Sequence, residues 1–413
     1  MEAPTTSLIL THPRKHYHFY QIALAAQQAG VLAKFATAIY YKPRTFPYSL
    51  LGALPRRIAE RWVGELKTRR TMEGLDPELV ASMPYFELAT LSVGRLPFVR
   101  DVVGLNNLGQ LNNALFDWLI GKTLGRGLSI LHCTCDCARR SFAQAKRFGA
   151  VTVLDMPANP FTRRYMEGAA GGPGGKRGGL SSRAQSEIEL ADYIFAPSDF
   201  VIKDLVGHGF PQERVFKIPW GVDTKLFTPG AERSKASLEV LFVGNVSMRK
   251  GFQYLLEAVK QLALPGLEVT IIGQPLDRIS KQVLHHYKGL FSWIPHVAYG
   301  ELHHWYQRAD VFVLPSLAEG SAMVTYEAMA CGLPLIVTEN SGSLVRDGVD
   351  GFVIPVHDVQ AIKKGIELLY QDRDRARQMG RAGHAAIEGH TWNRYRKDVA
   401  NAYRQIVQER AAS

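Results

Sequence analysis

Glu319 and Glu327 stand eight residues apart in a stretch whose local pattern gives each carboxylate a place to act. The apolar run ending in Pro315-Ser316 predicts a buried strand, Ser321 to Cys331 a helix stopped by Gly332 and Pro334, and Leu335 to Thr338 the next strand. In such a strand–helix–strand unit, the loop leaving the first strand and the amino end of the helix form a pocket for an anionic ligand. Glu319 falls on its rim, and Glu327 follows about two helical turns, roughly 12 Å, further on. That separation is too long for sharing one proton or one metal ion, and it suits gripping two parts of an elongated ligand. A carboxylate beside a phosphate site serves to accept hydrogen bonds from hydroxyls such as those of a ribose or hexose. The plainer alternative is a pair of surface glutamates on an ordinary helix.

A second constellation opens the same predicted sheet. In Val243-Gly-Asn-Val-Ser-Met-Arg-Lys-Gly251, Gly244 allows close backbone approach, while Arg249 and Lys250 supply cations able to neutralise a diphosphate. A solvated basic pair in a loop is the alternative. Gly121-Lys-Thr imitates the end of a nucleotide-binding P-loop, but Phe116 occupies the place of its first glycine. With no Gly-x-Gly-x-x-Gly after a strand and no serine nucleophile elbow, kinase, P-loop hydrolase, dehydrogenase and serine-hydrolase readings drop.

The elements that must position these groups alternate along the whole chain. Ser7 to Leu10, Leu128 to Thr134, Val151 to Leu154, Tyr193 to Pro197 and Val215 to Pro219 are strand candidates separated by helix-like stretches. After a polar stretch from Gly230 to Ser237 the alternation restarts. It runs LEVLFVG, a helix from Phe252, LEVTIIG, HVAYG, DVFVLPS, the Glu-bearing helix, PLIVT and GFVIPV. The expectation is α/β, two doubly wound domains: residues 1–229 and 238–389, with a closing helix in 390–413. That last segment places Trp392, Tyr395, Val399, Tyr403 and Ile406 at helical spacing, so one apolar face must be buried.

A chain of 413 residues with 46% hydrophobic content can bury two cores of ordinary size. No run of eighteen apolar residues predicts a membrane span, and the opening Met-Glu-Ala-Pro-Thr-Thr lacks the layout of a secretory signal, so a cytoplasmic location is expected. His132-Cys-Thr-Cys-Asp-Cys invites a metal reading, but Cys-x-Cys-x-Cys is not a zinc spacing and no second Cys/His pair follows at a suitable distance. A strand end with small buried side chains is expected there instead. The net charge of +11 suggests an anionic partner, without any nucleic-acid motif. Within 55–70, PRRIAERWVGELKTRR carries six Lys/Arg against two Glu, with apolar residues at helical spacing. It reads either as a helix lying on an anionic membrane surface or as a solvated face over a buried stripe. Residues 168–179, with seven glycines in twelve, read as a mobile loop or a passive linker.

Glu-x7-Glu, set between a strand ending in Pro-Ser and the run Ala-Met-Ala-Cys-Gly-Leu-Pro, resembles the signature of retaining glycosyltransferases of the GT-B fold. The resemblance implies two Rossmann-like domains facing a central cleft, with the final helix crossing back to the first. It implies transfer of a sugar from a nucleotide diphosphate sugar to a hydroxyl of a glycan or lipid-linked acceptor, with no metal or other cofactor. By the same resemblance Glu319 binds donor-sugar hydroxyls, Glu327 the ribose, and Lys250 with Arg249 the diphosphate. Backbone N–H groups of Gly320, Ser321 and Ala322 meet the terminal phosphate, while Gly244, Asn245, Gly273 and Val297 line the donor site. Asn245 departs from the family, which usually has arginine there, and Pro13-Arg-Lys-His16 replaces the usual glycine pair. Asp155 stands where the family often has a histidine near the reacting sugar carbon. It could bind a sugar hydroxyl, accept the acceptor proton, or simply cap the strand end. His132, His16 and His18 are the alternative imidazoles. The rival readings are a nucleotide-sugar epimerase or phosphorylase on the same fold, and a noncatalytic nucleotide-sugar-binding protein.

Overall fold

A computed structural model describes residues 6–13, 17–43, 71–83, 105–167, 180–231, 237–262 and 264–412, with a few further positions between 45 and 63. The first sheet comprises β1 (Leu8–His12), β2 (Leu32–Thr37), β3 (Val80–Ser82), β4 (Ile130–Thr134), β5 (Val151–Asp155), β6 (Tyr193–Ala196) and β7 (Val215–Lys217). The second comprises β8 (Leu238–Val243), β9 (Leu267–Ile272), β10 (Ser292–Ile294), β11 (Val311–Leu314), β12 (Leu335–Thr338) and β13 (Gly351–Ile354). Their strand orders are β3-β2-β1-β4-β5-β6-β7 and β10-β9-β8-β11-β12-β13. Every paired strand runs parallel.

Parallel strands covered by helices must be apolar along their whole length, and β8, β11 and β12 are buried at every residue. In each sheet the order reverses once, between β1 and β4 and between β8 and β11. The crevice outside the carboxyl ends of strands at such a reversal is where α/β sheets take ligands. The loops carrying Lys250 and Glu319 follow β8 and β11, the two strands at the second reversal.

Two features depart from the sequence-based expectation. Val297-Ala-Tyr-Gly300 is not a strand: β10 ends at Ile294, and a short 3-10 turn, Tyr299–Glu301, follows. Pro295 has no N–H to give a ladder, and β10 is an edge strand with Ser292 and Trp293 exposed, so neither periodicity nor apolar run marks it. The strands β2 and β3 went unpredicted, because Leu-Ala-Lys-Phe-Ala-Thr exposes two adjacent residues and β3 has only three.

The last helix, Trp392–Ala412, buries Trp392, Tyr395, Val399, Tyr403 and Ile406, the predicted stripe, and packs on the opening helix Tyr17–Gln28 of the first domain. Each such side chain contributes about 1.5–3 kcal/mol of burial. The chain enters this helix past Gly221, where an added Cβ would lie 2.5 Å from the Trp392 nitrogen, and Val222 donates its N–H to the His390 carbonyl at 2.8 Å. Inside the first domain, Tyr403 Oη and His132 Nδ1 are 2.6 Å apart. Burial holds the His132 imidazole down at about 4.

Cys133 and Cys137 are buried and Cys135 partly so, all three unbridged, and burial pushes their thiols above the ordinary range. Among the described residues no group of His, Cys, Asp and Glu is suited to a metal ion, and no helix is long and apolar enough to cross a membrane. Most of the basic segment 55–70, all of 168–179, and His16 lie outside the described residues.

Candidate functional site

The loop after β8 is pressed onto the end of β11. It passes through the turn Met248–Lys250 to Gly251 at φ 72°, where a Cβ would sit 1.9 Å from the Pro315 carbonyl oxygen. Only glycine meets both demands at that position. The approach brings Arg249 Nη1 within 2.6 Å and Lys250 Nζ within 2.9 Å of the same Glu319 carboxylate oxygen. Arg249 also donates to the Ala318 carbonyl at 2.7 Å, and Leu317 donates its N–H to the Arg249 carbonyl at 2.8 Å. Glu319 and Lys250 are each 9% exposed. Burial would raise the Glu319 carboxyl, yet the Lys250 and Arg249 cations outweigh it and hold the group below the usual carboxylate range.

Glu327 lies inside the helix Met323–Ala330, 4% exposed, where Tyr306 Oη donates to its Oε2 at 2.8 Å. Burial lifts its carboxyl to about 7 despite that hydrogen bond and the field of Lys250. The surroundings thus move the two carboxyls in opposite directions, Glu319 down under the cations and Glu327 up by burial. Neither points into open solvent.

At the amino end of this helix the three expected backbone donors divide. The N–H groups of Gly320 and Ser321 have no hydrogen-bond partner among the described residues, whereas Ala322 donates its N–H to the Ser341 carbonyl at 3.0 Å. Ala322 is thus removed from the expected set, because the turn Glu339–Ser341 has already satisfied it. Gly244 ends β8 with the Lys250 side chain alongside, and Asn245 beyond it is exposed. Gly273 donates to the Ile294 carbonyl at 2.9 Å, while its own carbonyl accepts from Trp293 Nε1 at 2.9 Å. Val297 lies past the edge strand in a loop, half-buried.

The first domain closes over Gly320. A Cβ there would lie 2.1 Å from the Pro157 carbonyl oxygen, and Ser198 donates its hydroxyl to the Gly320 carbonyl at 2.5 Å. Lys203 and Glu339 pair at 3.0 Å across the same junction. Asp155, two residues before Pro157 at the end of β5, reaches not outward but to His18 Nε2 at 2.9 Å, where Trp220 packs edge-on against the imidazole. Asp155, His18, Trp220 and Tyr395 line one small cavity just inside the crevice. Strand, opening helix and final helix converge there.

Glu319, Arg249, Lys250, Gly244, Gly320 and Ser321 are therefore gathered at one reversal point, with Glu327 buried in the helix behind them. Ser198, Pro157 and Tyr306 carried no signal of this role. Ser198 is legible only as a helix cap in Ala-Pro-Ser-Asp-Phe, a function it also performs through the Val201 N–H.

Residues 228–386 match the family described as glycosyl transferases group 1. The chain is 33% identical over 245 residues to the D-inositol 3-phosphate glycosyltransferase of Paenarthrobacter aurescens, a match spanning 54% of this chain and 60% of that protein. In three dimensions it resembles the sucrose-phosphate synthase of Thermosynechococcus elongatus, with TM-score 0.65, 18% identity and coverage of 99% and 100% of the two chains. It also resembles Anabaena HepE in complex with UDP-glucose, with TM-score 0.61, 13% identity and coverage of 97% and 99%. At such identities these two likenesses establish the fold, GT-B.

Proposed function

We propose that this chain, whose residues 228–386 match the glycosyl transferases group 1 family, transfers a sugar, with retention, from a nucleotide diphosphate sugar to an acceptor hydroxyl. The observation that carries this reading is the convergence of Arg249 and Lys250 on one oxygen of Glu319 at the crevice between the domains. Residues 238–389 bind the donor, and residues 1–229 with 390–413 bind the acceptor. The solved HepE complex holds UDP-glucose, and the Paenarthrobacter relative is named for a phosphorylated cyclitol, so a UDP-sugar and a glycan, lipid-linked or cyclitol hydroxyl are the first pair to test.

Before donor arrives, Glu319 occupies the two cations. A diphosphate lying against the N–H groups of Gly320 and Ser321 draws Arg249 and Lys250 to itself, because two phosphate charges attract them more than one carboxylate does. Glu319 is then released to accept hydrogen bonds from the donor sugar, and Glu327 accepts them from the ribose. The acceptor hydroxyl enters from the Asp155 side. As its oxygen bonds to the anomeric carbon, the carbon–phosphate oxygen bond breaks and the proton passes to the donor's own phosphate oxygen. Attack and departure share one face, so configuration is retained. The cations and backbone donors stabilise the charge that develops on the leaving diphosphate. No metal ion takes part in this scheme. The location that fits is cytoplasmic, peripheral to an anionic membrane face, supported by the +11 charge and the basic segment 55–70.

Incubation with UDP-, GDP- and ADP-sugars and an acceptor panel tests the reading. Nucleotide diphosphate release with an axial glycosidic product from an axial donor is expected. Sugar appearing on inorganic phosphate, an epimerised donor, or binding without turnover under every acceptor would each sink it.

A further inference from the structure

The final helix and the opening helix do not close completely on one another. Between them lies a groove of about 760 Å³, on the first domain and lined by none of the residues gathered around Glu319. Ala25, Ala29, Ala400 and Val407 give it a shallow apolar floor, and Arg396, Lys397 and Arg404 stand along one wall. Among the described residues no aspartate or glutamate lines it.

The missing acids are accounted for. The opening helix, Tyr17–Gln28, has none. The final helix has two, both turned to other partners: Asp398 holds Arg394 at 2.9 Å, and Glu409 accepts from Tyr193 at 2.5 Å and from Gln405 at 2.8 Å. Among the described residues Arg396 is held by amide oxygens, Gln21 at 2.5 Å and Asn393. Arg404 likewise bonds the Asn401 amide at 2.5 Å. Burial lowers the Arg396 guanidinium, and the other influence on it is the Tyr17 hydroxyl rather than any carboxylate. A half-buried guanidinium normally recovers its lost hydration from an anion. Gln28, Asn393 and Gln408 add amide groups to the rim.

We infer that this groove binds a small phosphate-bearing polyol or sugar phosphate, at a site separate from the catalytic crevice. Three cations set the phosphate, the rim amides hydrogen-bond the hydroxyls, and the alanine and valine floor takes the apolar face of a ring. A volume near 760 Å³ exceeds what inorganic phosphate needs and falls within the range of organic ligand sites. A lipid anchor fits less well, because the apolar floor is shallow and its rim is amide-rich. A ligand bridging the two helices would clamp the start of the final helix, where Val222 donates its N–H to the His390 carbonyl.

The test needs no turnover and so fails or succeeds independently of the proposed transfer. Full-length protein is titrated with glucose 6-phosphate and with myo-inositol 1-phosphate by calorimetry and thermal shift, with inorganic phosphate and anionic phosphatidylglycerol vesicles in parallel. Saturable binding is expected, weakened roughly tenfold or more in Lys397→Glu/Arg404→Glu but retained in Asp155→Asn, which separates this groove from the acceptor side. The UDP-induced rise in melting temperature should be the same in the double variant and the parent, which also reports that the variant folds. No saturable binding, equal affinity for inorganic phosphate, binding to vesicles alone, or binding untouched by the double variant would each overturn the proposal.

Discussion

Ser198, capping a helix of the first domain, donates its hydroxyl to the carbonyl of Gly320 at 2.5 Å, so the residue next to Glu319 is fastened across the crevice. The fastening leaves no room for a side chain, since a Cβ on Gly320 would meet the Pro157 carbonyl at 2.1 Å. Gly320→Ala must therefore push the domains apart at the crevice where the proposed transfer takes place. Misplacement by about 1 Å costs on the order of a hundredfold in rate. Steady-state kinetics should show that loss in kcat, and a variant with parental kcat would mean the closed contact is not the reacting geometry.

Glu319→Gln leaves Arg249 and Lys250 facing a neutral amide. Removing one partner of a buried ion pair costs about 3–5 kcal/mol, so the melting temperature should drop markedly at neutral pH. Because the Glu319 carboxyl is held below its usual range, its stabilisation is present at neutral pH and is lost as pH falls through the folded value, below 4.5. Parent and variant should hence converge in stability in acid. UDP affinity should be kept or increased in the variant, its cations being free, while sugar transfer falls. Thermal melts across pH and calorimetry with UDP decide it.

The fold was legible because its strands are buried on both faces and read as apolar runs, and because the closing helix repeats its apolar residues with the right period. Glu319 and Lys250 were legible for the same local reason, each following a strong strand. What escaped was long-range or weakly patterned. His18 lies 137 positions from Asp155, and Ser198 lies 122 from Gly320; no local periodicity encodes either approach. The edge strand Ser292–Ile294 escaped because solvent on one side relaxes the demand for apolar residues, and Val297 was mistaken for its core. The Ala322 N–H was misassigned because its acceptor, Ser341, belongs to a turn beyond the next strand.

Asp155→Asn tests the first domain without touching the loops that carry Lys250 and Glu319. It removes the charge facing His18 at 2.9 Å beneath Trp220, so the imidazole loses its anchor and the small cavity it lines is reshaped. The expected result is a lower melting temperature and a reduced kcat/KM for acceptor, with the UDP-induced thermal shift unchanged. An equal loss of UDP response would show that Asp155 acts through the donor half instead.

Glu327 gives the chain a pH dependence of the opposite sign to that of Glu319. Burial lifts its carboxyl from 4.5 to about 7, so between those values the folded chain binds a proton that the unfolded chain has released. Stability on this account falls as pH rises from 4.5 toward 7, by on the order of 3 kcal/mol in total. Glu327→Gln, which stays neutral and can still take the Tyr306 hydroxyl, should remove that slope. The variant should gain on the parent in melting temperature at pH 8 relative to pH 5. Nucleotide affinity should respond in the other direction, because an ionised carboxylate accepts the ribose hydroxyls better than a protonated one. The parent should bind UDP more tightly above pH 7 than below pH 6, and Glu327→Gln should bind weakly and evenly across that range. A parent whose UDP affinity ignores pH, with a variant that matches it, would remove Glu327 from the donor site.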